Sequence, residues 1–296
     1  MANVDQINFV LHDLFIQSVK ELLQKKYYST SPSKVVKILE VGCGSGDFAL
    51  ILKNKLKDKV EITAIDPSDK INLAKSKSTG SDVHFEESDI FTYKIKEKFD
   101  LVLFTKSLHH CNPVEKAVQI AYDLLNHDGV FIAEEIKPDM VNDNDLIWFF
   151  NRLDLLRIAG RMISVEEKLN TAGHSKKMLT SMLNPSLPLD QRWFRSRGQN
   201  HHHDEKPLHR DDPEGIAHSH DVLSAISNQF GPDNISITPV PYFYQLISFA
   251  GLKNDEACPA ILKELLKQEQ DAINSSFVQP LGVNIVAYKK DFTTTS

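Results

Sequence analysis

The chain has 296 residues, 41% of them hydrophobic and 25% charged, with a formal net charge of −6. That length suits one large α/β domain with an elaboration, and the acidic balance argues against a dedicated nucleic-acid surface, which needs clustered positive charge. The scattered cysteines Cys43, Cys111 and Cys258 suggest neither a disulfide framework nor a zinc motif; no apolar run approaches about 18 residues and no signal-peptide profile opens the chain, so a soluble cytoplasmic protein is expected.

Residues 6 to 25 carry apolar side chains at Ile7, Leu11, Leu14, Phe15, Val19 and Leu22, a helical period. Such a helix covers a sheet edge or forms part of a lid, covering being the simpler role. After a Ser- and Pro-containing connection, the apolar run from Val35 to Val41 ends in alternate glycines, Gly42, Gly44 and Gly46. An amphipathic segment from Phe48 to Leu56 follows at once. The pattern predicts a buried strand, a tight turn, and a helix whose free N–H groups face the turn. A polar, nucleotide-like ligand is expected there. A dinucleotide fingerprint would place a small residue where this chain has Asp47.

Val60 to Asp66 reads as a second strand closed by a carboxylate. An acid at that place can accept both hydroxyls of a ribose, although Asp66-Pro67-Ser68-Asp69 also suits a helix N-cap. Val83 to Glu86 is a third short strand, leading into the acidic turn Glu87 to Phe91, which by itself reads as a solvated turn. Phe99 to Phe104 is a buried fourth strand. It runs into Thr105-Lys106-Ser107-Leu108-His109-His110-Cys111 and a helix from Pro113 to Leu125, and Gly129 to Glu135 supplies a fifth strand ending in two acids. This alternation predicts a mostly parallel sheet with right-handed crossovers and ligands beyond the carboxyl ends of its strands.

From Lys137 to Gly231 no convincing strand appears, a gap far longer than an ordinary connection. Helical periods cover Asp145 to Gly160, Lys176 to Leu183 and Asp221 to Phe230, while Pro185 to His220 is polar and irregular. Ile235 to Val240, a helix from Pro259 to Ile273, and Gly282 to Tyr288 complete the pattern. The expected organisation is a covering helix over 1–34, a ligand-binding core over 35–139, a helical cap inserted after strand five over 140–234, and completion of the core sheet over 235–296.

The stretch from Glu40 to Gly46 reads E-x-G-x-G-x-G and resembles the glycine loop of the class I S-adenosylmethionine-dependent methyltransferases. Asp66, Asp89 and the Leu108-His109-His110 run follow in the order seen there, and the run from Ser107 to Gly129 is similar to small-molecule members. The resemblance covers residues 35–139 well and 235–290 in outline. It implies an α/β, Rossmann-like, doubly wound seven-stranded sheet, mostly parallel with an antiparallel last strand, and S-adenosylmethionine as cofactor. By the same resemblance Glu40, Gly42, Cys43, Gly44, Gly46 and Thr105 hold the cofactor, Asp66 with Pro67 meets its ribose, and Asp89 with Ile90 meets its adenine.

Methyl transfer requires an acceptor held in line in a water-poor cleft, sometimes with a base. His109 and His110 are the candidates; otherwise one packs under the cofactor and the other caps the helix at Asn112-Pro113. The tract His201-His202-His203-Asp204 with His209, Asp211, Asp212, His218 and His220 has metal-ligand chemistry but no defined spacing, so no metal is expected. His209 or His218 could instead enter an acceptor pocket. Trp193 and Phe194, flanked by Arg192, Arg195 and Arg197, either bind an aromatic or carboxylate-bearing acceptor or dock a surface loop, docking being favoured. The Asn/Asp-Pro-Pro-aromatic and Pro-Cys signatures of nucleic-acid methylation are missing. The expected function is methylation of a small-molecule acceptor, without nucleic-acid or membrane partners. Protein or RNA methylation, and a non-catalytic cofactor-binding partner protein, are the alternatives.

Overall fold

A computed structural model describes residues 4–94, 97–172, 175–193 and 216–290. Helix α1 (Val4–Leu23) leads through a wider turn, Gln24–Tyr28, to β1 (Val36–Val41), α2 (Asp47–Leu56), β2 (Val60–Asp66), α3 (Lys70–Lys77) and β3 (His84–Glu87). β4 (Phe99–Thr105), α4 (Val114–Leu124) and β5 (Leu125–Ile136) follow. Parallel register pairs Ile38 with Ile62 and Leu101, Ala64 with Phe85, and Leu103 with Ile132. Strands buried on both faces carry apolar residues on both, which is why Ile38-Leu39 of β1 and Leu101 to Phe104 of β4 read as continuous apolar stretches.

The seven-stranded sheet has the order β3-β2-β1-β4-β5-β7-β6, with β6 at Ile235–Val240 and β7 at Gly282–Tyr288. Lys289 N–H donates to Gly129 O, and Lys137 N–H donates to Leu281 O; residue numbers rising on one strand and falling on the other make β7 antiparallel to β5. The expected sheet is the one found. Its order reverses between β1 and β4, and in open parallel sheets ligands bind at that reversal.

Alternate side chains of the strands serve two cores. Ile38, Ile62, Leu101, Leu103 and Ile132 pack with Phe15, Ile16 and Val19 of α1 and with Ala49 and Leu52 of α2. Leu39, Ile65, Val102, Phe104 and Phe131 face α4 and α9 (Ser219–Phe230). Phe131 touches Phe104 and Phe230 with ring centroids at 5.3 and 5.4 Å. Each fully buried side chain of this size contributes about 1.5–3 kcal/mol.

The chain divides into two compact units. One contains His12–Glu135, Gly215–Thr238 and Val283–Ser296, the other Met1–Leu11, Ile136–Glu214 and Pro239–Gly282. The 140–234 segment is therefore shared between them, α9 lying in the first. The second unit holds α5 (Asp143–Ile158), α6 (Val165–Thr171), α7 (Lys176–Met182), α8 (Leu189–Arg192), α10 (Phe243–Phe249) and α11 (Cys258–Asn274). Helix α5 starts two residues earlier than its apolar period because Asn142 and Asp145 form a reciprocal capping box.

An aromatic nucleus of Phe149, Phe150, Trp193 and Phe243 fills the second unit. Trp193 is 2% exposed and its Nε1–H donates to Pro138 O at 3.0 Å. Arg192 makes a two-pronged bond to Asp154 at 2.7 and 2.8 Å, with its guanidinium over the Phe150 ring. These two residues thus belong to a packed core; Phe194, Arg195 and Arg197 lie outside the described residues. The Glu269 carboxylate accepts the N–H groups of Tyr242, Phe243 and Tyr244, at 2.6, 2.9 and 2.9 Å, at the start of α10. Among the described residues no helix is long and apolar enough to cross a membrane.

Candidate active site

The glycine turn sits between β1 and α2, at the reversal of strand order. Two of its glycines illustrate different demands. Gly46 has φ +75°, and a Cβ there would lie 2.7 Å from the Phe85 ring and 2.8 Å from Ala74. Packing of the turn against α3 and β3 therefore requires it. Gly44 has φ +53°, but a Cβ would meet nothing closer than Lys70 at 4.0 Å. The fold leaves that side of the turn open. Gly42, by contrast, is crowded by Ser107 of the turn after β4, whose Cβ would lie 2.5 Å from one added at Gly42. Gly42 N–H and Cys43 N–H both donate to Ile65 O, at 2.8 and 3.0 Å.

Asp66 closes the arrangement. One carboxylate oxygen accepts Gly44 N–H at 2.7 Å; the other accepts Ser68 N–H at 2.9 Å and the Ser68 hydroxyl at 2.5 Å. Helix α3 begins later, with Asp69 rather than Asp66 at its N-cap, so Asp66 is a clasp on the glycine turn. Pro67 beside it is exposed. Ser88 N–H donates to Asp66 O at 3.3 Å, which brings the 88–92 turn alongside. There Asp89 Oδ1 accepts Phe91 N–H, Thr92 N–H and the Thr92 hydroxyl at 2.7, 2.8 and 3.0 Å. Ile90 is buried, and its N–H makes no backbone hydrogen bond among the described residues.

Glu40, at the end of β1, is 1% exposed. Its Oε1 accepts the Thr105 hydroxyl at 2.7 Å, whereas Oε2 is buried without a hydrogen-bond partner among the described residues. Burial, with the nearby charges of Asp66 and Asp47, pushes this carboxyl up to about 7, against the Thr105 bond and Lys106, which pull it down. Lys106 adopts φ +58° and pairs with the buried Glu134 at 3.1 Å. His12 of α1 lies within reach of that ammonium. Its Nδ1 is shut from solvent without a partner among the described residues, and burial together with Lys106 pushes the imidazole down to about 3.

The histidines that follow β4 differ from one another. His109 is 9% exposed, and its Nδ1 lies 2.5 Å from Glu135 Oε2; Glu135 Oε1 accepts Leu108 N–H at 2.9 Å. Burial lowers the His109 value, but the charge and hydrogen bond of Glu135 outweigh it, so the imidazole sits above its ordinary range. His110 is exposed, its ring 4.2 Å from that of His109. Burial pushes the Cys111 thiol up to about 12, reinforced by the charges of Glu135, Asp89 and Asp66.

The residues expected at the site thus gather around the β1, β2 and β4 ends: the glycine turn and Asp66 are linked by direct bonds, as are Glu40 and Thr105, and Asp89 joins them through Ser88. Lys106, Glu134 and Glu135 are additions that the sequence pattern did not single out. The signal for them is the pair of acids ending a strand that is otherwise apolar, since buried carboxylates need partners. The 201–215 part of the histidine tract lies outside the described residues; among those described, no group of three or more His, Cys, Asp or Glu side chains could hold a metal ion.

The sequence pattern of a methyltransferase domain family matches residues 32–184. The chain is 30% identical over 159 residues to an uncharacterised methyltransferase of Staphylococcus carnosus, covering 51% of this chain and 72% of that protein. It is 26% identical over 116 residues to a malonyl-[acyl-carrier protein] O-methyltransferase of Bacillus cereus, covering 39% of this chain and 42% of the relative. It is 26% identical over 163 residues to a ubiquinone/menaquinone biosynthesis C-methyltransferase of Rickettsia bellii, 51% of this chain and 65% of the relative. The chain therefore spans less than two thirds of the length of these last two.

Proposed function

The chain belongs to the methyltransferase family, and from that premise we propose that it transfers a methyl group from S-adenosylmethionine to a small-molecule acceptor. The observation that carries this reading is the pairing of an uncrowded left-handed glycine, Gly44, with a buried carboxylate oxygen on Glu40 that has no partner among the described residues. An unsatisfied buried acceptor is costly, and a cationic ammonium such as that of the cofactor's amino-acid end relieves it.

In this reading Glu40 Oε2 takes the ammonium, and Gly44 admits the ligand against the backbone. Asp66 meets a ribose hydroxyl with the lone pair that Gly44 leaves over on Oδ2. Asp89 accepts the adenine amino group, while the Ile90 N–H donates to its ring. Gly42, Cys43, Gly46, Pro67 and Thr105 shape the surrounding wall. Bound S-adenosylmethionine supplies a methyl carbon already activated by its sulfonium, so the protein's work is orientation, exclusion of water and proton handling.

His109 is the base in this assignment. Glu135 holds its ring at Nδ1, it is buried, and His110 stacks against it from the exposed side. The names of the Bacillus cereus and Rickettsia bellii relatives, a malonyl-[acyl-carrier protein] O-methyltransferase and a ubiquinone/menaquinone biosynthesis C-methyltransferase, support a small acceptor group, free or carried by a protein.

Calorimetric titration with S-adenosylmethionine and S-adenosylhomocysteine tests the first half. Micromolar binding that Asp66→Ala abolishes is expected, and absence of binding by the native chain would remove the basis of the proposal. A methylation screen over small phenols, amines and carboxylic acids tests the second half.

A further inference from the structure

We propose that Glu135 is a positioning residue: it fixes the imidazole of His109 with Nδ1 protonated and Nε2 as the atom that receives the acceptor's proton. The inference rests on the assignment of His109 as the base.

Glu135 is 2% exposed and ends β5 on the side of the sheet that faces α4 and α9. Its carboxylate makes two bonds to one short turn: Oε1 accepts Leu108 N–H at 2.9 Å, and Oε2 faces His109 Nδ1 at 2.5 Å. An ionised carboxylate only accepts, so the atom between Oε2 and Nδ1 is a proton carried by Nδ1. The other tautomer would set two lone pairs against each other at 2.5 Å. The bond to Leu108 stops the carboxylate from swinging away. The ring's own backbone is pinned as well, because His109 O accepts Ala217 N–H at 2.8 Å. The second nitrogen, Nε2, makes no hydrogen bond to a described residue.

The proton balance is complete. The acceptor's O–H or N–H bond breaks, its electron pair stays on the acceptor atom, and the proton passes to Nε2. The imidazolium so formed is neutralised by Glu135 at its far side, in a place where an unpaired charge would be costly. Among the described residues, the titratable groups that bear on the ring are Glu135 from β5 and, from its own turn, His110; from the segment before α9 it meets the backbone of Ala217.

The competing account is that the His109–Glu135 pair merely braces the turn. Glu135→Gln separates the two. A glutamine has one acceptor oxygen for two donors; satisfying Leu108 turns its NH2 group toward Nδ1 and forces the opposite tautomer, with the ring still in place. Nitrogen-15 NMR of histidine-labelled protein reads this directly. The native chain is expected to show Nδ1–H with a bare Nε2 above the pKa of His109, and the variant Nε2–H. With the most active compound of the acceptor screen, kcat of the variant is expected to fall about 100-fold or more. Its KM for S-adenosylmethionine should stay within about threefold, and its alkaline-rising limb should move to lower pH.

His109→Ala with undiminished turnover would overturn the base assignment itself. A slow His109→Ala variant beside a Glu135→Gln variant with native rate and native pH limb would overturn only the role of Glu135. Should Glu135→Gln fail to fold, the native spectrum still decides, because an Nε2–H tautomer at His109 contradicts the proposal.

Discussion

The unpartnered oxygen of Glu40 makes cofactor affinity depend on pH in a direction that can be worked out. Without ligand, this carboxyl is raised to about 7. The cofactor's ammonium favours the ionised form, so affinity is full above that value and declines as pH falls through it. If only the ionised form binds, Kd scales as one plus ten raised to the power of 7 minus pH. Between pH 7 and pH 5.5 that is a weakening of about sixteenfold, or about 1.6 kcal/mol. The window is chosen because an α-amino group, with a reference value of about 7.7–8.0, stays charged throughout it. Calorimetry at several pH values gives Kd, and repeating it at pH 6 in buffers of different ionisation enthalpy gives the proton count, expected near 0.9 released. Glu40→Gln should bind more weakly at pH 7 and lose most of the pH dependence. A native Kd that is flat from pH 5.5 to 7, with no proton released, would refute the assignment of Glu40 to the ammonium. The stability sign is opposite: a carboxyl raised in the folded state makes the unliganded chain lose stability as pH rises from about 4.5 to about 7.

The two glycines should fail differently. Gly46→Ala combines a left-handed backbone with a 2.7 Å clash and should cost about 2–4 kcal/mol, seen as a lowered Tm. Gly44→Ala should leave Tm within a few degrees yet weaken S-adenosylmethionine binding by about tenfold or more, since only a ligand contests that space; equal losses of Tm in both variants would contradict this. Trp193→Ala should destabilise by about 3–5 kcal/mol in denaturant titration, because a fully buried indole and its bond to Pro138 are removed together. Glu269→Gln should cost about 1–3 kcal/mol, as one amide oxygen cannot accept three backbone N–H groups; an unchanged unfolding midpoint would show that those bonds are not needed.

What is readable in the sequence is local. The apolar runs of β1 and β4 and the glycines at 42, 44 and 46 announce themselves through period and spacing, because strand, turn and helix are set by neighbours in the chain. Asp66 is legible as a carboxylate at a strand end, but its bond to Gly44 is not, since 22 residues separate them. The same holds for Glu135 and His109, 26 residues apart. Helix α6 gives no sequence signal of its own although Ser164 caps it by accepting Glu167 N–H; seven residues are too few to show a period. Phe230 and Val222 mark α9 as apolar on one face, yet no pattern in a single chain says that this face meets α4 rather than α5. Trp193 reads as part of a loop because arginines surround it, and Arg192 is instead neutralised by Asp154 inside the core.

The place of β7 sets the order in which this chain can be finished during synthesis. β7 lies between β5 and β6, which end at Ile136 and Val240, well before β7 begins at Gly282. Until Gly282–Tyr288 leaves the ribosome, β5 presents a bare edge and β6 has no neighbour on which to form. The second unit is likewise stitched from segments that begin at Met1 and end at Gly282. Completion of the sheet is therefore a late event, and its distant contacts predict slow closure. A nonsense codon between β5 and β7 would leave β5 as an unpaired edge, prone to self-association.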